Sequence, residues 1–376
     1  MKKVLSALIL GCAFTASLSA FTWSGLIDNN TKIAKNLSNT GVQLNQSNGI
    51  FLSVATPINK NLSFSAEGLY KYSYTKADDV STFTNIVDVD LLKLGGTWGT
   101  ASGFANLSLG RFFISDASSA VFAQTCDGIY FSTSIINWSV ALYAGYTGLL
   151  NSLNVSMTAL NTNTNDQFYN LSAGYIPLSA ELSYGALFGT DVLGLQAMYF
   201  LDPKQELPSL FYGTVTLNGS ISTIGTYSLA ATLGSSEFKN LMMYAKADMM
   251  FFTTDSLILG IGAEYASGEQ GAFTSFKTVT AKTACNYAGG YPLSGVLLPK
   301  LTATYAVNGL YANLTEKFVC LMPSDELKYS GFDTTLTILY NLFSDFQIGF
   351  DCNAYIDVNN SDSNYFGGTF KASLTF

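Results

Sequence analysis

The residues best suited to act on another molecule lie in one stretch, Gly110-Arg111-Phe112-Phe113-Ile114-Ser115-Asp116, continuing through Gln124 to Asp127-Gly128. Arg111 is the chain's single arginine, and Asp116, Gln124 and Asp127 follow it closely. A guanidinium, two carboxylates and an amide held near one another can sort solutes by charge and hydrogen bonding. A second set of charges recurs inside apolar segments: Glu67, Lys71, Asp88, Asp90, Lys246, Asp248, Glu264, Asp333, Asp351 and Lys371. Covalent and proton-transfer chemistry have little to work with, because the chain has no histidine to serve as general base or zinc ligand. No catalytic residue, metal site or cofactor is expected, and the chain is not read as an enzyme.

The elements that must position these residues are strands. Leu62, Phe64, Ala66, Gly68, Tyr70, Tyr72 and Tyr74 alternate with Ser63, Ser65, Glu67, Leu69, Lys71, Ser73 and Thr75. Met243, Ala245, Ala247 and Met249 oppose Lys246 and Asp248, and Phe346, Ile348, Phe350, Ala354 and Ile356 oppose Gln347, Asp351 and Asn353. Period two puts one class of side chain on each face of a strand, whereas a helix would scatter both classes around its axis. The segment from Phe366 to Phe376 repeats the pattern, with apolar residues at 366, 370, 372, 374 and 376, and ends on phenylalanine. Strands can cross hydrocarbon only when they close on themselves and leave no unpaired edge. The fold expected is therefore all-β, an antiparallel transmembrane β-barrel of about 16–18 strands. The count of 18 takes Ala180 to Phe200 as one long strand.

Composition supports this class. The chain is 48% hydrophobic and 14% aromatic but only 12% charged, and after Ala20 no apolar run is long enough for a membrane helix. At the start, Lys2 and Lys3, the apolar Val4 to Ala16, and Ser17-Leu18-Ser19-Ala20 read as a signal peptide over 1–20, leaving the barrel as 21–376. Export to the bacterial outer membrane follows, with outer-membrane lipid around the barrel and the Phe376 strand as the contact for barrel assembly machinery. Cys12 leaves with the leader, and Cys126, Cys285, Cys320 and Cys352 are too few for a disulfide scaffold, though one bridge could form. The net charge of −8 becomes about −10 once Lys2 and Lys3 are removed. Nucleic acid is excluded as a partner, since phosphate binding needs a basic face.

Short connections are expected at Asn59-Lys60-Asn61, Thr100-Ala101-Ser102, Ile136-Asn137, Thr223-Ile224-Gly225, Asn308-Gly309 and Ser344-Asp345. Longer polar stretches fall near 29–47, 75–85, 115–125, 147–165, 201–208, 268–298, 320–329 and 357–364. Trp23, Tyr74, Trp98, Trp138, Tyr146, Tyr175, Tyr265 and Tyr340 lie near strand ends and suggest the aromatic girdles of a membrane barrel, with a tyrosine-lined sugar path as the other reading.

The Gly-Arg…Asp…Gln…Asp-Gly stretch resembles the corresponding region of bacterial porin-type barrels, in which an external loop folds inward and narrows the channel. The tyrosine- and asparagine-rich chain is also loosely similar to spirochaete outer-membrane barrel proteins. The resemblance implies that Arg111, Asp116, Gln124 and Asp127 line a constriction. It departs from the usual pattern in that Arg111 has no arginine companion. Parity also places Arg111 beside Leu107 and Leu109, as an interfacial anchor, unless a bulge at Gly110 turns it inward. Glu67, Lys71, Asp88, Asp90, Lys246, Asp248, Glu264, Asp333 and Asp351 would face the lumen, either favouring cations weakly or pairing with one another. The function expected is an outer-membrane porin for passive diffusion of small hydrophilic solutes. The alternative is a surface-exposed adhesin or antigen with a closed lumen. A homotrimer and a monomer read alike in such a sequence.

Overall fold

The computed structural model describes residues 21–37, 41–100, 102–159, 168–286, 290–322 and 326–376, so the expected signal peptide lies outside the described residues. Strands run in chain order as β1 (Thr22–Asn36), β2 (Val42–Pro57), β3 (Leu62–Ala77), β4 (Val80–Thr100), β5 (Gly103–Ser115), β6 (Ala123–Ile135) and β7 (Trp138–Tyr146). They continue as β8 (Ile176–Gly185), β9 (Val192–Leu201), β10 (Leu210–Ile221), β11 (Gly225–Ser236), β12 (Asn240–Phe252), β13 (Leu257–Ala266), β14 (Thr283–Cys285) and β15 (Tyr291–Pro292). The last are β16 (Val296–Val307), β17 (Leu310–Leu321), β18 (Lys328–Asn341), β19 (Phe346–Asp357) and β20 (Tyr365–Thr375). Eighteen of them form one closed antiparallel sheet, while β14 and β15 make a small hairpin inside a loop.

Closure depends on the two chain ends. β1 and β20 pair from Leu26↔Thr375 to Asn36↔Tyr365, and Gly25 and Phe376 exchange backbone bonds of 2.8 and 3.0 Å. The Phe376 ring meets Trp23 edge-on at 6.0 Å. With both ends paired the sheet has no free edge, which is the condition for burying strands in lipid. The outward positions carry a broad apolar belt, including Leu233, Ile261, Leu301 and Phe370, each about half exposed.

The pairing corrects three expectations about segments. Ala180 to Phe200 is two strands, β8 and β9, divided at 186–191 by a turn in which Ala186 and Gly189 adopt φ of 65° and 100°. The stretch 29–47 is mostly strand, with β1 running to Asn36 and β2 starting at Val42, and 75–85 contains only a tight turn between β3 and β4. Both faces of a barrel strand are polar where it projects beyond the apolar belt, so loss of alternation there marks the edge of the belt and not the end of the strand.

One outward position breaks the belt. Glu316 pairs across β17 with Leu301 and Thr334, lies between the exposed Leu314 and Phe318 on the same face, and accepts a 2.6 Å bond from the Thr334 hydroxyl. A carboxylate on a lipid-facing surface is destabilising. Glu316→Leu is expected to stabilise the barrel by about 1 kcal/mol, seen as a higher temperature for loss of the compact band on unheated gels. A lower temperature would mean that Glu316 has a partner the isolated chain lacks.

Candidate functional site

The interior is shaped at Gly110. Its φ of +111° suits glycine, and a β-carbon there would run into the Leu92 carbonyl. Pairing of β4 with β5 stops one residue later, at Leu92↔Arg111, although β4 continues along β3 as far as Val80↔Ala77. Beyond this fork the β5–β6 hairpin leaves the wall and bends into the lumen. The loop between β7 and β8 fills the gap, with Asn154 donating to Asp88 at 3.0 Å and to Asp90 at 2.7 Å.

Arg111 sits at the fork. Its Nε and Nη2 form a bidentate pair with Asp127 at 2.9 and 2.7 Å. Nη1 donates to Asp88 Oδ1 at 3.1 Å and to the Val89 carbonyl at 3.0 Å, and Nη2 also reaches the Leu149 carbonyl at 3.0 Å. All five guanidinium N–H groups are thereby used. Tyr169 donates to the same Leu149 carbonyl, and burial, with the Asp88 and Asp127 carboxylates nearby, pushes its phenol pKa up, although Arg111 opposes the shift. The group stays a donor at neutral pH.

The tip of the in-bent hairpin is held by Asp116, which is 2% exposed. Its carboxylate accepts the backbone N–H groups of Ser118 at 2.9 Å, Val121 at 2.9 Å and Phe122 at 2.7 Å, together with the Ser118 hydroxyl. Val121 and Phe122 are fully buried, and the Phe122 ring rests 5.4 Å from Phe200. Phe200 is flanked in turn by Tyr175 and Tyr212 at 6.1 and 6.0 Å. The segment between β13 and β16 docks beside it, Phe276 stacking on Tyr244 at 5.6 Å while Tyr212 donates to the Lys277 carbonyl at 2.8 Å. Backbone bonds join the three insertions to one another: Val279 to Val121 at 2.8 Å, Thr158 to Val279 at 2.9 Å and Ala281 to Ser156 at 2.7 Å. One side of the lumen is therefore packed like a protein core, and the wall opposite stays polar.

The four residues singled out in sequence are brought to this region with separate surroundings. Arg111 and Asp127 pair with each other, and Asp116 turns its carboxylate onto its own loop. Gln124, 7% exposed, points its Nε2 at Met157 Sδ 2.9 Å away, while its Oε1 has no protein partner. Register puts Glu67, Lys71, Asp88, Lys246, Asp248, Glu264, Asp333 and Asp351 opposite the apolar belt, while Asp90 falls in the β4 bulge opposite Glu67 and Gly68 and meets Asn154 of the inserted loop. Lysines join them, and of these sequence reasoning named Lys246 and Lys371 but passed over Lys300. Lys300 bridges Asp248 at 2.8 Å and Glu264 at 3.1 Å, Lys246 meets Asp248 at 3.1 Å, and Lys371 meets Asp351 at 2.5 Å.

The inner aromatic bed was also passed over, and Tyr175, expected in a girdle, is buried within it at 3% exposure. A signal for the bed exists in Met198-Tyr199-Phe200, Leu210-Phe211-Tyr212 and Met242-Met243-Tyr244. Alternation fails there because both strand faces are covered, one by lipid and one by loops. Among the described residues no cluster of cysteines and carboxylates forms a metal site.

Arg111→Ala leaves two carboxylates facing each other without their cation and is expected to cost about 3 kcal/mol, measured by unfolding in detergent. Arg111→Lys should recover little, since an ammonium has three donors and no planar fork. Asp116→Ala removes acceptors from three buried amides at a cost of about 2 kcal/mol. It should leave the barrel closed while channel current becomes noisier. Unchanged noise would separate the loop from the conducting path.

No family model matches the sequence, and no curated protein matches it. Solved structures do. OccK5 (OpdH) of Pseudomonas aeruginosa superposes with a TM-score of 0.62 at 11% identity, covering 96% of this chain and 98% of that one. OccAB4 of Acinetobacter baumannii gives 0.65 at 10%, covering 96% and 99%. OccK2 (OpdF) of P. aeruginosa, in complex with glucuronate, gives 0.64 at 12%, covering 96% and 98%. At this identity the likeness concerns the fold alone: the chain is a closed 18-stranded antiparallel β-barrel with the fold of these bacterial Occ barrels.

Proposed function

We propose that this protein is an outer-membrane channel through which small hydrophilic solutes diffuse passively, with selection made where three inserted segments narrow the lumen. The observation that carries the reading is the combination of a closed barrel, an apolar exterior and a cavity of mixed polar and apolar lining beside the in-bent β5–β6 hairpin. No bond is made or broken in this function, and the missing histidine is no handicap to it. The short turns would face the periplasm and the long connections the exterior. The β20 strand, with its terminal Phe376, is the segment assembly machinery would pair with. That OccK2 was solved with glucuronate is compatible with a solute of that size passing such a barrel.

The acidic excess of the sequence suggested a weak cation preference, and the lumen lessens the case for it. Lys246, Lys300 and Lys371 lie against Asp248, Glu264 and Asp351, and Arg111 offsets Asp88 and Asp127. Paired charges leave little net field along the path. In a planar bilayer the refolded protein is expected to open stably, with a reversal potential near zero in a salt gradient. Lys246→Gln with Lys300→Gln strips the cations from Asp248 and Glu264 and should shift that potential toward cation preference. Correctly folded protein that never conducts would overturn the channel reading.

A further inference from the structure

The passage beside the in-bent hairpin contains a cavity of about 470 Å³, large enough for a compact organic solute. Asp90 lines it from the barrel wall, Phe113 and Gln124 from the hairpin, Asn154 from the β7–β8 loop, and Thr280 and Lys282 from the segment between β13 and β16. Four separate parts of the chain therefore converge on one space.

Its chemistry is specific. The two charges already have partners within the protein: Asp90 accepts from Asn154 at 2.7 Å, and Lys282 donates to the Ser119 carbonyl. Being opposite in sign, they leave the cavity close to neutral, so an ion gains little by entering it. Phe113, by contrast, is 64% exposed, and an aromatic face in water is a platform for another apolar face. Around it stand groups that bond to hydroxyls: the Asp90 carboxylate, the Asn154 amide, the Thr280 hydroxyl and the Lys282 ammonium.

We propose that this cavity is a binding subsite for an uncharged cyclic polyol, a pyranose, whose C–H face lies on Phe113 while its hydroxyls donate to Asp90 and accept from Lys282. The proposal rests on the channel reading, because the site lies along the path that reading assigns. A pyranose chair, with C–H bonds making one apolar face and hydroxyls a polar rim, suits both the exposed ring and the charged groups beside it, whereas an acyclic polyol supplies the hydroxyls without the face.

The test uses the full barrel refolded in detergent, with methyl α-glucopyranoside and maltose as probes and sorbitol as the acyclic control. Saturation-transfer NMR reports binding whether or not the channel conducts. The pyranosides are expected to receive saturation through their ring C–H protons in a saturable manner, and sorbitol to receive little. Phe113→Leu keeps an apolar side chain without the ring and should weaken pyranoside binding about five-fold, while Phe113→Tyr should retain it. In bilayers, maltose should add brief blocks that Phe113→Leu removes, with salt conductance unchanged. Equal saturation of sorbitol and pyranoside, or binding indifferent to Phe113→Leu in a variant that still runs as a compact unheated band, would overturn the proposal. If conductance is absent while ring-selective binding persists, the channel reading fails and the saccharide site stands.

Discussion

The arrangement of the interior turns on one side chain. A barrel of 18 strands is wide, and its wall can remain continuous only if every strand is paired along its length or something replaces the missing neighbour. At Gly110 the chain gives up pairing between β4 and β5 in order to bend a hairpin inward. That would leave the upper edge of β4 with unpaired carbonyls and two acidic groups close together. Arg111 closes this fault with contacts to Asp88, Val89, Asp127 and Leu149. It thereby ties the wall, the in-bent hairpin and the β7–β8 loop at a single point. No other side chain could do the same, because five donors in one plane are peculiar to guanidinium.

What lies inside the bend follows from it. Once the hairpin has left the wall, its backbone must find partners within the lumen, and a polar wet interior would compete for them. The chain instead packs Val121, Phe122, Phe276 and Val279 against Phe200, Tyr212 and Tyr244, and excludes water from one side. Each such ring buries enough surface to contribute roughly 1.5–3 kcal/mol. That is sufficient to fix a loop which in water would sample many conformations. The insertions thus behave as a small core inside the barrel, and the space left beside them is defined by packed walls.

The barrel itself was legible in the residues because period two is enforced by lipid. Leu229, Leu233, Phe350 and Phe370 each had to be apolar, and the final phenylalanine had to pair. The short turn at Asn308-Gly309 was legible for a local reason, since both positions adopt positive φ, 46° and 82°. The site was legible only as a set of names. Arg111, Asp116, Gln124 and Asp127 were found together, but their partners, Asp88, Val89, Leu149 and Met157, lie up to 38 residues away along the chain. No short-range pattern encodes such contacts. The aromatic bed was hidden for a related reason: its inward Phe200, Tyr212 and Tyr244 lie beside outward apolar residues, so they read as lost alternation and not as a second buried face.

The same distinction bears on how charge in such a lumen should be read. A count of acidic against basic residues treats each as an independent contributor to the field. In a barrel, however, residues on neighbouring strands are brought together by register, and Lys300, far in sequence from Asp248 and Glu264, lies within 3.1 Å of both. A pair at that distance presents a dipole to a passing solute, and its field falls off faster than that of a single charge. Discrimination then shifts to features whose interactions are short-ranged: an exposed ring, the hydrogen-bonding groups beside it and the width left between packed loops. A channel built in this way separates solutes by shape and hydrogen bonding before it separates them by sign.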